Sequence, residues 1–223
     1  MSEFAISGVE TGQLNAMVKN AMRQMGITDA KEAVRRVNSG EWIFSEVTRS
    51  WHEQDGVIDL GTVTSDGTTG PEWIKRLEKK GFRVSDWAKS VLKSKDFKPT
   101  NGVTSHIVVL KGKLWKDSDR ITSNIRAEAD RRKFEKPNAE VACLIREKFT
   151  DEEIEAMGLW WIVAMHEPIK DSAGVPSLLH ARRRDGGLWL NAAYDVPGRG
   201  WDDDHGFAFV APQVSTQDSE SQA

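Results

Sequence analysis

Leu178-Leu179-His180-Ala181-Arg182-Arg183-Arg184-Asp185-Gly186-Gly187-Leu188-Trp189-Leu190-Asn191-Ala192-Ala193 is the stretch whose reading decides the fold. Two apolar arms flank a charged turn that holds a glycine pair. Glycine takes up positive φ without steric cost, so the pair suits a tight reversal of the chain. The stretch predicts a β-hairpin with strands over 178–182 and 188–193. Just upstream, Leu159–Met165 is a nearly continuous apolar run of strand length. Just downstream, Phe207-Ala208-Phe209-Val210-Ala211 reads as a last strand. These segments predict a C-terminal antiparallel sheet of about four strands.

Moving outward, the pattern changes to a three- to four-residue period. Thr150 and Glu153 form a capping box for a short helix ending at Met157-Gly158. Pro137 and Asn138 start a helix that turns Val141, Leu144, Ile145 and Phe149 inward. Another helix covers about 119–133, with Ile121, Ile125 and Ala129 as its stripe, and 104–110 reads as a strand. Gly70-Pro71-Glu72 opens a helix with Trp73, Ile74 and Leu77 on its core face, since proline suits a first helical turn. Ser85 caps the next helix, which carries Trp87, Ala88, Val91 and Leu92. Strands are expected at 41–45 and 57–63, and helices at 12–25, with a methionine-rich stripe, and about 29–39. The resulting class is α+β: N-terminal and central short helices packed on the C-terminal sheet. The polar, glycine-bearing loop 64–70 marks the expected boundary between an N-terminal extension, 1–66, and a main domain, 70–212. Residues 213–223 read as a disordered tail.

The chain has 223 residues, 39% hydrophobic and 29% charged, enough for a real core. No apolar run approaches the roughly 18 residues that span a bilayer, so no membrane partner is expected. Met1-Ser2-Glu3-Phe4 lacks the basic start and apolar stretch of a signal peptide, which points to the cytoplasm. A lone cysteine, Cys143, excludes an internal disulfide framework and a multi-cysteine metal site. Its apolar neighbours Ala142 and Leu144 predict a buried thiol. Gly67-Thr68-Thr69-Gly70 lacks the Lys-Ser or Lys-Thr of a phosphate loop, and no nucleophile elbow or dinucleotide fingerprint occurs. No cofactor is expected.

Charge is unevenly spread. The formal net charge is −3, yet residues 72–136 alone carry +9 between two acidic ends. Local charge attracts polyanions whatever the total. The basic residues expected to meet an anionic partner, nucleic acid or an acidic protein, are Lys75, Lys79, Arg126, Arg131, Arg132, Arg182, Arg183 and Arg184. Trp189, across the hairpin, adds a ring that can stack on a base or a guanidinium. The bland reading is that these cations solvate helix faces or pair with the acidic C-terminal segment. A second cluster, Asp202, Asp204 and His205, with His166 as a further ligand, has the residue types that hold a divalent ion and activate water. Its bland reading is a solvated acidic turn.

Four segments carry a resemblance: Gly81-Phe82-Arg83-Val84-Ser85-Asp86-Trp87-Ala88-Lys89, Pro137-Asn138-Ala139-Glu140-Val141, Ala164-Met165-His166-Glu167-Pro168-Ile169-Lys170-Asp171-Ser172 and Gly206-Phe207-Ala208-Phe209-Val210. They resemble pieces of an uncharacterised family of bacterial proteins that occurs as several paralogues in reduced-genome candidate phyla. The likeness covers about 70–212, with 10–66 similar to a looser N-terminal extension. The family has no established activity, so the resemblance implies a bacterial intracellular protein and assigns no residue a role. The leading expectation is a non-enzymatic binding protein whose basic centre contacts an anionic macromolecule. The alternative is a metal-dependent hydrolase or nuclease built on the Asp/His cluster.

Overall fold

Strand pairing reaches well beyond the C-terminal hairpin. The computed structural model describes Lys19, Met22, Gly26, 28–41, 49–183 and 187–212. The chain divides into two compact units between Thr48 and Arg49. In the first, helix α1 (Ala30–Asn38) carries Glu32 in its first turn and Arg35 and Arg36 in its last. Both arginines bond to Glu32, at 2.8 and 2.7 Å, the spacing at which helical side chains meet. Apart from Lys19, Met22 and Glu41, the helix expected at 12–25 and the strand expected at 41–45 lie outside the described residues, as does the tail 213–223.

Among its described residues the second unit holds nine strands: β1 (His52–Gln54), β2 (Val57–Asp66), β3 (Arg83–Val84), β4 (Asn101–Lys111), β5 (Trp161–Ala164), β6 (Ile169–Lys170), β7 (Pro176–Arg182), β8 (Trp189–Tyr194) and β9 (His205–Val210). They form one sheet in the order β1-β2-β4-β9-β5-β7-β8-β3, with β6 added on β7. The hairpin is present: β7 and β8 run antiparallel from Ser177 opposite Tyr194 to Arg182 opposite Trp189. The expected sheet of about four antiparallel strands is corrected to a nine-stranded mixed sheet, because β9 lies parallel to β5 and β3 parallel to β8. The other strands arrive by distant pairing: β2 zips onto β4 from Val57–Leu110 to Asp66–Asn101, and β4 onto β9. Residues 52–66 therefore sit in the same sheet as the main domain, and the loop at 64–70 joins a strand to a helix within one unit.

Among the described residues, five α-helices pack on this sheet: α2 (Gly70–Lys79), α3 (Asp86–Leu92), α4 (Thr122–Arg131), α5 (Val141–Lys148) and α6 (Asp151–Ala156). Local chemistry sets their ends. Pro71 lies in the first turn of α2. Ser85 Oγ accepts from Ala88 N–H at 3.1 Å to start α3, and Thr150 accepts from Glu153 N–H at 3.2 Å to start α6. Helix α4 is shorter than expected at both ends, and α5 begins at Val141 rather than at Pro137.

One face of the sheet is covered by α2, α3, α5 and α6, which bury Trp73, Leu77, Val91, Ile145 and Ile154 against Ile58, Ile107, Ile162, Leu179 and Leu190. The opposite face carries Val108, Leu110, Val163, Leu178, Phe207 and Phe209 and receives Ile125 and Ala129 of α4 and Trp201. Strands buried on both faces read as continuous apolar runs rather than alternating ones. That is why 159–165 and 207–211 show no period of two. Among the described residues, α4 is the helix that contributes to this second cluster, through Ile125 and Ala129.

Candidate functional site

The register of five strands places His205 of β9, Trp161 of β5, Arg182 of β7, Trp189 of β8 and Arg83 of β3 in one row. Their chain neighbours Ile162, Ala181, Leu190 and Val84 belong to the helix-covered core. Side chains alternate along a strand, so the row projects to the second face. In order it runs ring, ring, cation, ring, cation. The Trp161 ring stacks on His205, 4.3 Å between centroids and 13° between planes. Arg182 lies 4.9 Å over Trp161, and Arg83 5.6 Å over Trp189.

His180, two residues before Arg182, stacks on the other side of Trp161 at 4.1 Å and 13°. Three flat rings therefore lie in series, imidazole, indole, imidazole, contributed by three neighbouring strands. Burial holds both imidazoles neutral. His205 is pushed down to about 4, and His180 well below the ordinary histidine range, with nearby cations adding to the effect. The Trp201 ring meets His205 and Phe207 edge-on, with Arg199 4.4 Å above it.

Two recesses flank Trp161. One, about 420 Å3, is lined by Trp160, Trp161, Arg182, Asp202, Asp204 and His205. The other, about 250 Å3, has Trp161, His180, Arg182, Asn191, Tyr194 and Arg199 among its lining residues, with Trp87 at its rim. The second contains a cluster of unsatisfied groups. His180 is fully buried, and neither of its ring nitrogens makes a hydrogen bond of good geometry. The Ala192 main chain lies near enough to favour the protonated form slightly. Trp161 Nε1 and Arg199 Nε are likewise buried and unbonded. At the mouth, Trp87 and Tyr194 are 50% and 45% exposed and meet edge-to-face at 6.4 Å. A larger depression, about 500 Å3, lies beside α3 between Lys89, Lys93 and Lys170, but Lys89 there is bonded to Glu78 at 2.8 Å.

The loop that supplies Arg199 to His205 is held by Arg120. Its Nε donates to Gly112 O at 2.8 Å, one Nη to Trp201 O at 3.2 Å and the other to Trp115 O at 2.9 Å. Gly112 lies so close to this loop that a Cβ there would sit 2.6 Å from Asp202 O.

The residues expected to meet an anion are dispersed. Lys75 and Lys79 are exposed on α2, on the first face of the sheet, whereas Arg126 and Arg131 belong to α4 on the second and Arg132 caps its C-terminus. Arg126 pairs with Asp195 at 2.9 Å, and Arg131 and Arg132 both grip Glu128 at 2.6 Å. Arg183 covers the Trp160 ring and pairs with Glu155 at 2.9 Å. Arg184 lies outside the described residues. Among the described residues of that set, Arg182 and Trp189 share the row described above. Asp202, Asp204 and His205 do converge, with one ligand atom from each within 4.8 Å of the others. His166 stands apart from them, beyond the far end of β5. Its Nδ1–H donates to Glu167 O at 2.7 Å and its Nε2 accepts from Leu179 N–H at 2.9 Å, so both nitrogens are used.

The sequence reading passed over Trp161, His180, Asn191 and Arg199, and took Trp87 as a core residue. The signal was a histidine inside the apolar run 178–181, a polar group that a two-faced strand buries only for a reason. No family model, curated protein or solved structure matches the chain. Among the described residues, no helix is long and apolar enough to cross a membrane.

Proposed function

We propose that the protein is a non-enzymatic binding protein that takes an anionic partner, single-stranded nucleic acid, at the recess beside Trp161. The observation that carries this reading is His180, a buried neutral imidazole whose ring nitrogens make no well-formed hydrogen bond, in the wall of an arginine-bearing recess. A buried polar group left unpaired costs about 1–3 kcal/mol, and a bound ligand can supply its partner. Arg182 and Arg199 supply charge for phosphate, and the exposed rings of Trp87 and Tyr194 supply a stacking surface at the mouth. An acidic protein would satisfy the arginines but would make little use of the rings.

The test is a titration with short single- and double-stranded DNA and RNA at low and moderate salt. Single strands should bind, weakening steeply as salt rises because neutralised phosphates release counterions. Duplexes should bind less well, their bases being stacked away. Absence of any binding at about 50 mM salt would overturn the reading.

A second reading, a metal-dependent hydrolase or nuclease, is favoured by the approach of Asp202, Asp204 and His205. It lacks its expected fourth ligand, since His166 is committed elsewhere. Equilibrium dialysis with Mn2+ or Zn2+ decides it: stoichiometric metal that is lost in the double variant Asp202→Asn, Asp204→Asn supports the site, and no retained metal removes it.

A further inference from the structure

We infer that the recess receives one unpaired keto base, uracil, thymine or guanine, whose edge is read by His180, Trp161 and Arg199 while its phosphate stays outside against the arginines. The inference rests on the nucleic-acid reading above and names the chemistry that its recess selects. The size comes first. About 250 Å3 is below the range of sites that enclose a drug-sized ligand, so the recess suits a single heteroaromatic ring rather than a stack. Its hydrogen-bonding character comes second. Trp161 Nε1 and Arg199 Nε are unpartnered donors. A neutral imidazole adds one N–H and one lone pair. Asn191 cannot add an acceptor easily, because its Oδ1 already receives Ser85 Oγ–H at 2.6 Å and Ala192 N–H at 2.8 Å. Among these three unfilled side chains, His180, Trp161 and Arg199, donors thus outnumber acceptors. At pyrimidine C4 or purine C6, keto bases present a carbonyl oxygen to such a wall, whereas cytosine and adenine carry an exocyclic amine there, which would meet donor against donor.

The third element is the mouth. Trp87 and Tyr194 are the exposed aromatic residues at the rim, and single-stranded bases stack on such rings before or after the one that enters. The shared chemistry, a keto base bearing a phosphate, can come from a free mononucleotide or from a strand, and the experiment separates these sources.

Anisotropy titrations compare short oligouridylate with oligocytidylate of equal length, and calorimetry compares uridine and cytidine 5′-monophosphates. The expected result is tighter binding of the uracil probe by about tenfold, the discrimination that one good hydrogen-bonded base edge gives. Preference in the strands as well as the mononucleotides assigns the site to single-stranded nucleic acid. Preference in the mononucleotides alone supports the recess and assigns it to a free nucleotide. His180→Phe keeps the stack on Trp161 and removes both nitrogens, so it should abolish the preference between the two bases. Trp87→Ala, on the surface and harmless to folding, should weaken both probes about tenfold, as loss of one stacking ring does. Equal affinity for the two bases, a preference that survives His180→Phe, or indifference to Trp87→Ala would each overturn the inference. A protein that binds strands without base preference would lose only this inference, and one that binds neither strands nor mononucleotides would lose the functional proposal as well.

Discussion

Arg120 shows what a single side chain does for the site. It is 6% exposed, and its guanidinium answers three main-chain carbonyls from two separate segments, 112–115 and the loop at 201. Among the described residues its carboxylate contact is Asp117, itself solvent-exposed, so the fork geometry rather than ion pairing holds the loop. Arg120→Met should lower stability by about 3 kcal/mol in denaturant titration, since the carbonyls lose their donors, and it should weaken the probes at the neighbouring recess as Arg199 loses its support. Unchanged stability would mean that water replaces the guanidinium at no cost. Cys143 is the contrasting case. It is wholly buried, as its apolar neighbours predicted, and burial pushes its thiol far above the usual range. Native protein should react with a thiol reagent only at the rate of unfolding, and rapid stoichiometric modification would contradict this placement. His180 and Trp161 were not legible at this scale. They lie 19 positions apart in the chain, and only the strand register makes them neighbours.

At the scale of elements, local chemistry carried far. Ser85, Thr150 with Glu153, and Pro71 mark helix starts that the structure keeps, because a capping bond forms within one turn and needs no distant partner. Trp87 shows where local phase misleads. Ala88, Val91 and Leu92 face the core, and Trp87, one step off that stripe, is left at the surface. How closely α2 approaches α3 is invisible in the sequence. The start of α2 lies against the end of α3, and a Cβ on Gly70 would fall 1.7 Å from Leu92 O. Gly70→Ala should therefore destabilise the protein by about 3 kcal/mol, read as a shift in urea midpoint with an unaltered slope. Tolerance of alanine at 70 would show that the two helices can separate without loss.

At the scale of the whole molecule, burial of polar groups on a two-faced sheet ties stability to pH. His166 is almost completely buried, and desolvation pushes it down to about 4 from an ordinary value near 6.5. His180 is shifted in the same direction. The unfolded chain takes up these protons as pH falls through about 6.5, while the folded protein does not until about pH 4. The stabilisation is therefore complete above about pH 6.5 and lost between there and about pH 4, by about 3 kcal/mol for His166 alone. The acidic groups add their share lower down: Glu128 is held at about 2 by its bonds to Arg131 and Arg132. Melting temperature should fall from neutral pH to about pH 5, and His166→Asn should flatten that dependence. A native profile that stays level over this range would refute it. Charge at this scale also resolves differently from the linear chain. The +9 of residues 72–136 does not collect on one surface, because α2 and α4 cover opposite faces and Asp195, Glu147 and Glu167 answer Arg126, Arg76 and Lys136. By itself the sequence determined the α+β class, the central and C-terminal helix starts, the β7–β8 hairpin and the buried cysteine, since each depends on contacts within a turn or across one reversal. Only the tertiary structure decided that β2 and β4 join the C-terminal strands, that β9 lies parallel to β5, and that two histidines enclose a tryptophan. Strand order and register are set by bonds between residues far apart in the chain, and a period of two says which way a side chain points but not what stands beside it.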